Sequence, residues 1–257
     1  GDEKDEVLVR ANGIPTYLAA DIAYHYNKLV VRGFDKAINI WGADHYGHIA
    51  RMKNAMKLLG VDPDRLHVIT VQLVRLMRGN EIARMSKRKG DSVSLGDLIE
   101  EIGVDATRYF FNMRLANSHF DFDLDLAVKK NNDNPVYYVQ YAHARICSVL
   151  EKAKDYINLD IDYNSAIFTD ETEIALLKQL SLFPKNIEII SNTLEPSRLT
   201  HYASDLASLF HSFYGKCKVI DEDNLERTKY RISLCKATKI VLSKVLWLLG
   251  VSSPDKM

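Results

Sequence analysis

Apolar positions in the first half of the chain alternate between strand-like runs and helical spacing. Residues 36–41 (KAINIW) form a short apolar run that stops at Gly42 and predicts a buried strand. Ile49, Met52, Met56 and Leu59 recur at helical spacing, predicting a helix over 46–59 that stops at Gly60. Residues 66–71 (LHVITV) predict a second strand, parallel to the first across that helix. Arg78-Gly79-Asn80-Glu81 has the turn chemistry of a hairpin, and a polar, basic loop (84–91, RMSKRKGD) follows it. Ser94 with Asp97 forms a capping box for a short helix ending at Gly103, and Asp105 is the expected cap of another running to about Leu115. The acidic stretch 121–127 marks a junction. Beyond it the spacing is helical throughout, over 126–156, 170–191, 197–217 and 225–250, with breaks or first turns at Pro184 and Pro196. The predicted fold class is α/β followed by all-α. Residues 1–127 read as a parallel-sheet part and residues 128–257 as a helical bundle.

Composition narrows the partners. The chain is 47% hydrophobic and 26% charged, enough for a substantial core. Lys+Arg and Asp+Glu balance at 34 each, so a polyanion must be met by a local patch and not a basic coat. Lys216, Lys218, Arg227, Lys229 and Arg231 are the candidate patch. Cys147, Cys217 and Cys235 show no C-x-x-C spacing, which argues against structural zinc or a disulfide framework and suits a cytoplasmic protein. No apolar run is long enough to span a bilayer. The opening GDEKDEVLVR has no initiator Met and reaches a strand-like VLV within ten residues, which reads as the start of a fragment.

Three segments carry chemistry. In the loop 84–91, the cations between Arg84 and Lys89 can neutralise the leaving pyrophosphate of a triphosphate, or form an ordinary solvated turn. WGADHYGH (41–48) lies where a strand gives way to a helix, the nucleotide edge of an open α/β sheet. There Asp44 can accept from two ribose hydroxyls, or act only as a helix cap. Tyr17 and Asp21 stand at i and i+4 in IPTYLAADIAYH; together they can line a slot for a guanidinium, or be a core tyrosine and a surface carboxylate. Tyr137, Tyr138, Tyr141, Tyr202, Phe210, Phe213 and Tyr214 form an aromatic stripe on the predicted helices, a pattern more usual of a core than of a base-stacking platform.

In combination these segments resemble the class Ia aminoacyl-tRNA synthetases. RMSKRKG resembles their KMSKS loop, with Arg84 in the first lysine position, and WGADHYGH resembles their ribose-holding G-x-D-H motif. His45-Tyr46-Gly47-His48 also fits H-x-G-H. It lies only about 40 residues before the basic loop, however, so that match reads as coincidental and the true H-x-G-H as absent. GIPTYLAADIAYH through GFDKAINIWGADHYGH, NPVYYVQYAHARI and the ending LLGV…PDKM are similar to arginyl-tRNA synthetases of bacterial type, over essentially the whole chain.

The resemblance implies the second half of a Rossmann-type catalytic domain followed by a DALR-type anticodon-binding bundle. It implies that Lys87 contacts the β/γ-phosphates, with Ser86, Lys89 and Arg84 supporting the loop. Gly42, Asp44, His45, His48, Val71, Gln72 and Met85 are the implied ATP-binding residues, His48 either orienting the α-phosphate or capping its helix. Tyr17 and Asp21 are implied to bind arginine, and Tyr141, Arg145, Tyr214 and Met257 to meet the splayed anticodon loop of tRNA(Arg). ATP enters with Mg²⁺ as a substrate complex, and no protein-bound metal is expected. The chain is expected to be a monomer, to bind no membrane, and to be inactive alone for lack of the first half of the ATP site. The alternatives are a non-catalytic tRNA-binding relative, another class Ia synthetase such as the cysteine enzyme, and a small nucleotidyltransferase using HYGH for phosphate.

Overall fold

A computed structural model describes residues 5–83, 94–156 and 168–257. The chain forms two compact units, residues 1–74 with 116–120 and residues 75–115 with 121–257. The division by compactness thus assigns residues 75–115 to the helical unit, while the sequence pattern changes near residue 127.

In the smaller unit, helix α1 (Tyr17–Tyr26) starts at Thr16, whose side chain accepts from the Ala19 N–H, and widens into a π-type turn over Asn27–Val31. Strand β1 (Ala37–Gly42) pairs in parallel with β2 (Leu66–Val71), Ala37 opposite Leu66 and Gly42 opposite Val71. The connection between them is α2 (His48–Leu58), as a parallel pair requires. Leu29, Ala37, Met52, Met56, Val61 and Leu66 make the core. Burying each methionine fully contributes about 1.5–3 kcal/mol. Alternate residues of β1 stay open: Ile38 is 47% exposed and Ile40 70%. One face of this strand therefore packs on the helices and the other is uncovered. The VLV segment makes a single bridge, between Val9 and Pro15.

Next along the chain, β3 (Val74–Arg78) and β4 (Glu81–Ile82) form the expected hairpin, and β5 (Phe120–Asp123) joins them in the order β4-β3-β5. Helix α3 (Leu95–Ile102) begins with the Ser94–Asp97 capping box. Helix α4 (Val104–Asn112) begins at Gly103, with no side-chain cap. The expectation for Asp105 is corrected here: its carboxylate accepts from Gln140 and from the Ser252 N–H and hydroxyl, so it anchors the chain's end instead of capping a helix.

The helix expected over 126–156 is α5 (Leu124–Ala127) and then α6 (Pro135–Lys152), separated because the Asn134 side chain caps α6 while its amide donates to Ala127 and Lys129 carbonyls. The segment 170–191 divides into α7 (Glu171–Ser181) and α8 (Phe183–Thr193), with Pro184 in the first turn of α8. Helices α9 (Ser197–Lys216) and α10 (Leu225–Leu249) run as expected. Tyr109, Phe210, Phe213, Leu206, Leu242 and Ile146 are fully or almost fully buried among them. The Tyr109 hydroxyl, bonded to Thr200 O and Ser204, is pushed up to about 12 by burial.

Candidate functional site

Two places in the molecule gather the residues singled out above, one in each unit. In the smaller unit it is the C-terminal edge of the strand pair. Gly42 and Val71 end their strands side by side, and a 3₁₀ turn, Ala43–His45, leads on toward α2. Asp44 sits in that turn with its side chain 80% exposed, and His45 Nε2 lies 3.6 Å from its carboxylate. Gly42 makes this placement possible: a Cβ there would stand 2.5 Å from Asp44 Oδ1. The residue capping α2 is Gly47, which offers no side-chain cap, so neither Asp44 nor His48 serves as one. The capping alternatives for both residues are thereby corrected, and the start of α2 remains suited to an anion.

His48 instead points its Nε2 at the Asp21 carboxylate, 3.6 Å away, and its ring lies 5.6 Å from that of Trp41. Asp21, implied to hold arginine, and His48, implied to face ATP, are therefore neighbours. Asp21 is half exposed and Tyr17, at the start of α1, is 88% exposed, so both are accessible to a ligand. Tyr17 lines a shallow cleft with Arg10, Ile14 and Thr16 that does not include Asp21. The Gln72 backbone N–H donates to Ala116 O, leaving its carbonyl, not its N–H, for any reading of a base.

Sequence reasoning passed over a buried network beneath this edge. His25 Nδ1 pairs with the Asp21 carbonyl at 2.7 Å, and its Nε2 pairs with the Asn39 amide at 2.5 Å. Asn39 Oδ1 in turn accepts from Lys28, whose ammonium is pulled below its ordinary pKa by burial and by Arg32. The signal for it was Asn39 itself, a polar residue inside the apolar run of β1. Arg84, Met85, Ser86, Lys87 and Lys89, the basic loop, lie outside the described residues.

In the helical unit the second place is a cleft between α6 and α9. It is about 620 Å³ and is lined by Lys130, Tyr137, Tyr138, Tyr141, Arg145, His211 and Tyr214 among others. A second cleft of about 460 Å³ is bordered by Tyr141, Arg145 and Tyr214 again, with Lys152, Lys256 and Met257. All four residues implied to meet the anticodon loop are thus brought together. The Arg145 guanidinium lies 4.8 Å from the Tyr141 ring centroid and 5.3 Å from that of Tyr214, and it donates to the Tyr141 hydroxyl. Tyr137 stacks on Tyr141 at 6.1 Å. The stripe of aromatic residues divides accordingly: Tyr202, Phe210 and Phe213 are core, while Tyr137, Tyr138, Tyr141 and Tyr214 line the cleft.

The chain's last residues reach this cleft because they are strapped down. Ser252 is held by Asp105 and Gln140, the Pro254 carbonyl by His143 Nδ1, and the Asp255 carboxylate by Cys147 and Lys239. His143, Cys147 and Asp255 lie close enough together to ligate a metal. The protein's own groups already occupy them, however. His143 Nε2 bonds Ser243 Oγ, and the Lys239 ammonium neutralises Asp255. Burial lowers the pKa of His143 and raises that of Cys147, so both stay neutral.

The basic patch is corrected for three of its five residues, while Lys218 and Arg227 are exposed. Arg231 is buried against Glu173 at 2.6 Å, Lys216 pairs with Glu171 and Asp170, and Lys229 with Glu226. No helix among the described residues is long and apolar enough to cross a membrane.

A parallel strand pair with an exposed carboxylate at its edge, followed by a helical bundle with an aromatic, cationic cleft, is an architecture this chain shares with solved arginyl-tRNA synthetases. Residues 139–257 match the DALR anticodon binding domain family. Along its whole length the chain is a homologue of the arginine–tRNA ligases. It is 55% identical to the arginine–tRNA ligase of Ruminiclostridium cellulolyticum and 56% identical to that of Moorella thermoacetica, matching over all of this chain and 46% of each relative. The chain thus spans about half the length of the curated relatives it matches.

Among solved structures, one assigned as an arginyl-tRNA synthetase from Campylobacter jejuni superposes with a TM-score of 0.88 at 36% identity, covering 100% of this chain and 56% of that one. The Thermus thermophilus arginyl-tRNA synthetase, at 22% identity and a TM-score of 0.82, shares the fold over 98% of this chain and 51% of its own.

Proposed function

We propose that this chain supplies the ribose-holding edge, the phosphate loop and the anticodon-binding bundle of an arginine–tRNA ligase. The whole enzyme would join arginine to ATP·Mg²⁺ through the arginine carboxylate, releasing pyrophosphate, and pass the arginyl group to tRNA(Arg). No protein nucleophile is needed; positioning and charge stabilisation do the catalysis. Asp44 accepts from the ribose hydroxyls, and Gly42 and His45 shape the turn that presents it. The start of α2 and His48 face the α-phosphate, while Val71 and Gln72 border the adenine. Lys87 neutralises the leaving pyrophosphate, with Arg84, Met85, Ser86 and Lys89 beside it in the sequence supporting it. Asp21 takes the substrate guanidinium in fork geometry, with Tyr17 beside it; lysine could not reproduce that pairing.

The observation that supports this reading most directly is the gathering of Tyr141, Arg145, Tyr214 and Met257 around adjoining clefts. Tyrosine faces stack unpaired bases, and a planar cation serves a base or a phosphate. We propose further that residues 1–127 hold the ATP side of the site and residues 128–257 the RNA side. By themselves the 257 residues bind the tRNA(Arg) anticodon stem–loop as a monomer without catalysing pyrophosphate exchange, because HYGH serves the ribose turn and no second strand-to-helix phosphate turn occurs among the described residues. Fluorescence anisotropy with a labelled stem–loop tests the first part. Tight binding that Arg145→Ala or Tyr214→Ala weakens supports it, and equal affinity for an unrelated hairpin of the same length contradicts it. Robust exchange by the isolated chain would overturn the second part.

A further inference from the structure

His211 carries a buried nitrogen with nothing to bond. Among the described residues, its Nε2 is the one buried side-chain nitrogen or oxygen without a hydrogen-bond partner. Leaving such a group unpaired forfeits its hydrogen bonds to water with nothing in return, and an apolar ring would fill the same space without that cost. The same helix places phenylalanines at Phe210 and Phe213, so aromatic bulk is available at this level of the bundle without a polar atom. The imidazole is therefore unexplained by packing.

Its surroundings indicate what the nitrogen is for. The ring lies 5.0 Å from Tyr138 and 6.1 Å from Tyr141, nearly parallel to the latter at 29°. It borders the larger cleft together with Arg145 and Tyr214. Burial, and then the Arg145 charge, lower its pKa, so the ring is neutral near pH 7 and can offer one donor and one acceptor. The walls suit a flat ligand with hydrogen-bonding edges and a nearby negative charge, which is an unstacked nucleotide. Tyr141 is partly exposed and lies nearly parallel to the imidazole, so displacement of this ring by an entering base would open the cleft toward His211.

We infer that His211 reads a nucleobase, its Nε2 hydrogen-bonding the edge of one unpaired base held among the tyrosines of this cleft. This rests on the RNA-binding reading above and assigns within it a residue that discriminates between bases. Tyr141 and Tyr214 supply stacking, which every base can use; His211 supplies the edge contact, which only some can.

The test compares the 257-residue chain with His211→Phe and His211→Gln. The ligands are stem–loops in which each unpaired loop position is varied in turn. His211→Phe keeps the ring and removes the orphan nitrogen, so its thermal midpoint should equal or exceed that of the parent chain. Its affinity for the cognate loop should fall on the order of tenfold, and discrimination should vanish at one loop position while persisting at the others. His211→Gln, whose amide reaches the same point, should restore part of that discrimination. Unchanged discrimination at every position in His211→Phe, alongside weakened binding in Arg145→Ala, would overturn the role of His211 alone. Failure of the parent chain to bind any loop would overturn both readings. Should His211→Phe not fold, the Gln variant decides: discrimination reduced at one loop position alone supports the edge contact, and parent-like discrimination at every position, or loss at several together, contradicts it.

Discussion

Inside the helical unit the Arg231 guanidinium donates through Nε to the Glu173 carboxylate at 2.6 Å, the two side chains retaining 9% and 3% of their exposure. The same carboxylate accepts from the Thr169 and Asp170 N–H groups, so the start of α7 is tied to α10. Removing one partner leaves the other charged and uncompensated. Glu173→Ala should destabilise the unit by about 3–5 kcal/mol, read from urea unfolding by far-UV circular dichroism. The double change Glu173→Leu with Arg231→Met should recover much of that loss. A single substitution costing no more than a surface pair would contradict this account.

Gly250 ends α10 at φ +66°, and a Cβ there would run into the Arg108 guanidinium, which donates to Leu249 O. Gly250→Ala combines left-handed strain with the loss of that hydrogen bond. A destabilisation of about 1–3 kcal/mol is expected, and an unchanged midpoint would show that the helix end relaxes freely.

His143 and His211 are both held below the ordinary histidine pKa, chiefly by burial. A depressed folded value means that the unfolded chain binds more protons, so stability rises with pH across this window. The contribution is complete above about pH 6.5 and is lost as pH falls through the lowered folded values. Asp170, Glu226 and Asp255 are depressed too, Asp170 and Asp255 first by side-chain hydrogen bonds and Glu226 by Lys229. They act in a separate, more acidic window. The urea midpoint should drop on going from neutral pH toward pH 5, and His211→Phe should flatten that step. A midpoint that rises on acidification would contradict both assignments.

Asp255→Ala removes the acceptor shared by Cys147 and Lys239 and frees the residues that carry Met257 into the cleft. Stem–loop affinity should fall several-fold, while the thermal midpoint barely moves because the carboxylate is exposed. A large drop in the midpoint with unchanged RNA affinity would make the strap a stability device only.

In a full-length ligase bearing these residues, Asp44→Asn should raise the KM for ATP by an order of magnitude or more, with little change in the KM for arginine. Asp21→Asn should do the reverse. Equal effects on both substrates in either variant would contradict the division of labour at this edge.

The elements legible in the sequence are those whose determinants are local. KAINIW bounded by Gly42, the methionines of α2 and the Ser94–Asp97 box each carry their instruction within a few residues, and each forms as expected. Strand β5 escaped because FDFD alternates apolar side chains with carboxylates and reads as a polar junction. Asp105 looked like a helix cap because its partners, Gln140 and Ser252, lie 35 and 147 residues away. Arg231 looked like surface charge for the same reason, its partner Glu173 being 58 residues earlier. The resemblance led to the four cleft residues. His211 was invisible because an orphan nitrogen exists only once its neighbours have been packed around it.

The strapped carboxyl end also governs how this protein can be handled. Met257 is half exposed and lines the smaller cleft, so anything appended after it starts beside the space that an incoming ligand would use. Purification handles, fluorophores and surface-immobilisation linkers therefore belong at the amino end. A preparation tagged at the other end would report weak RNA affinity for reasons unrelated to its tyrosines.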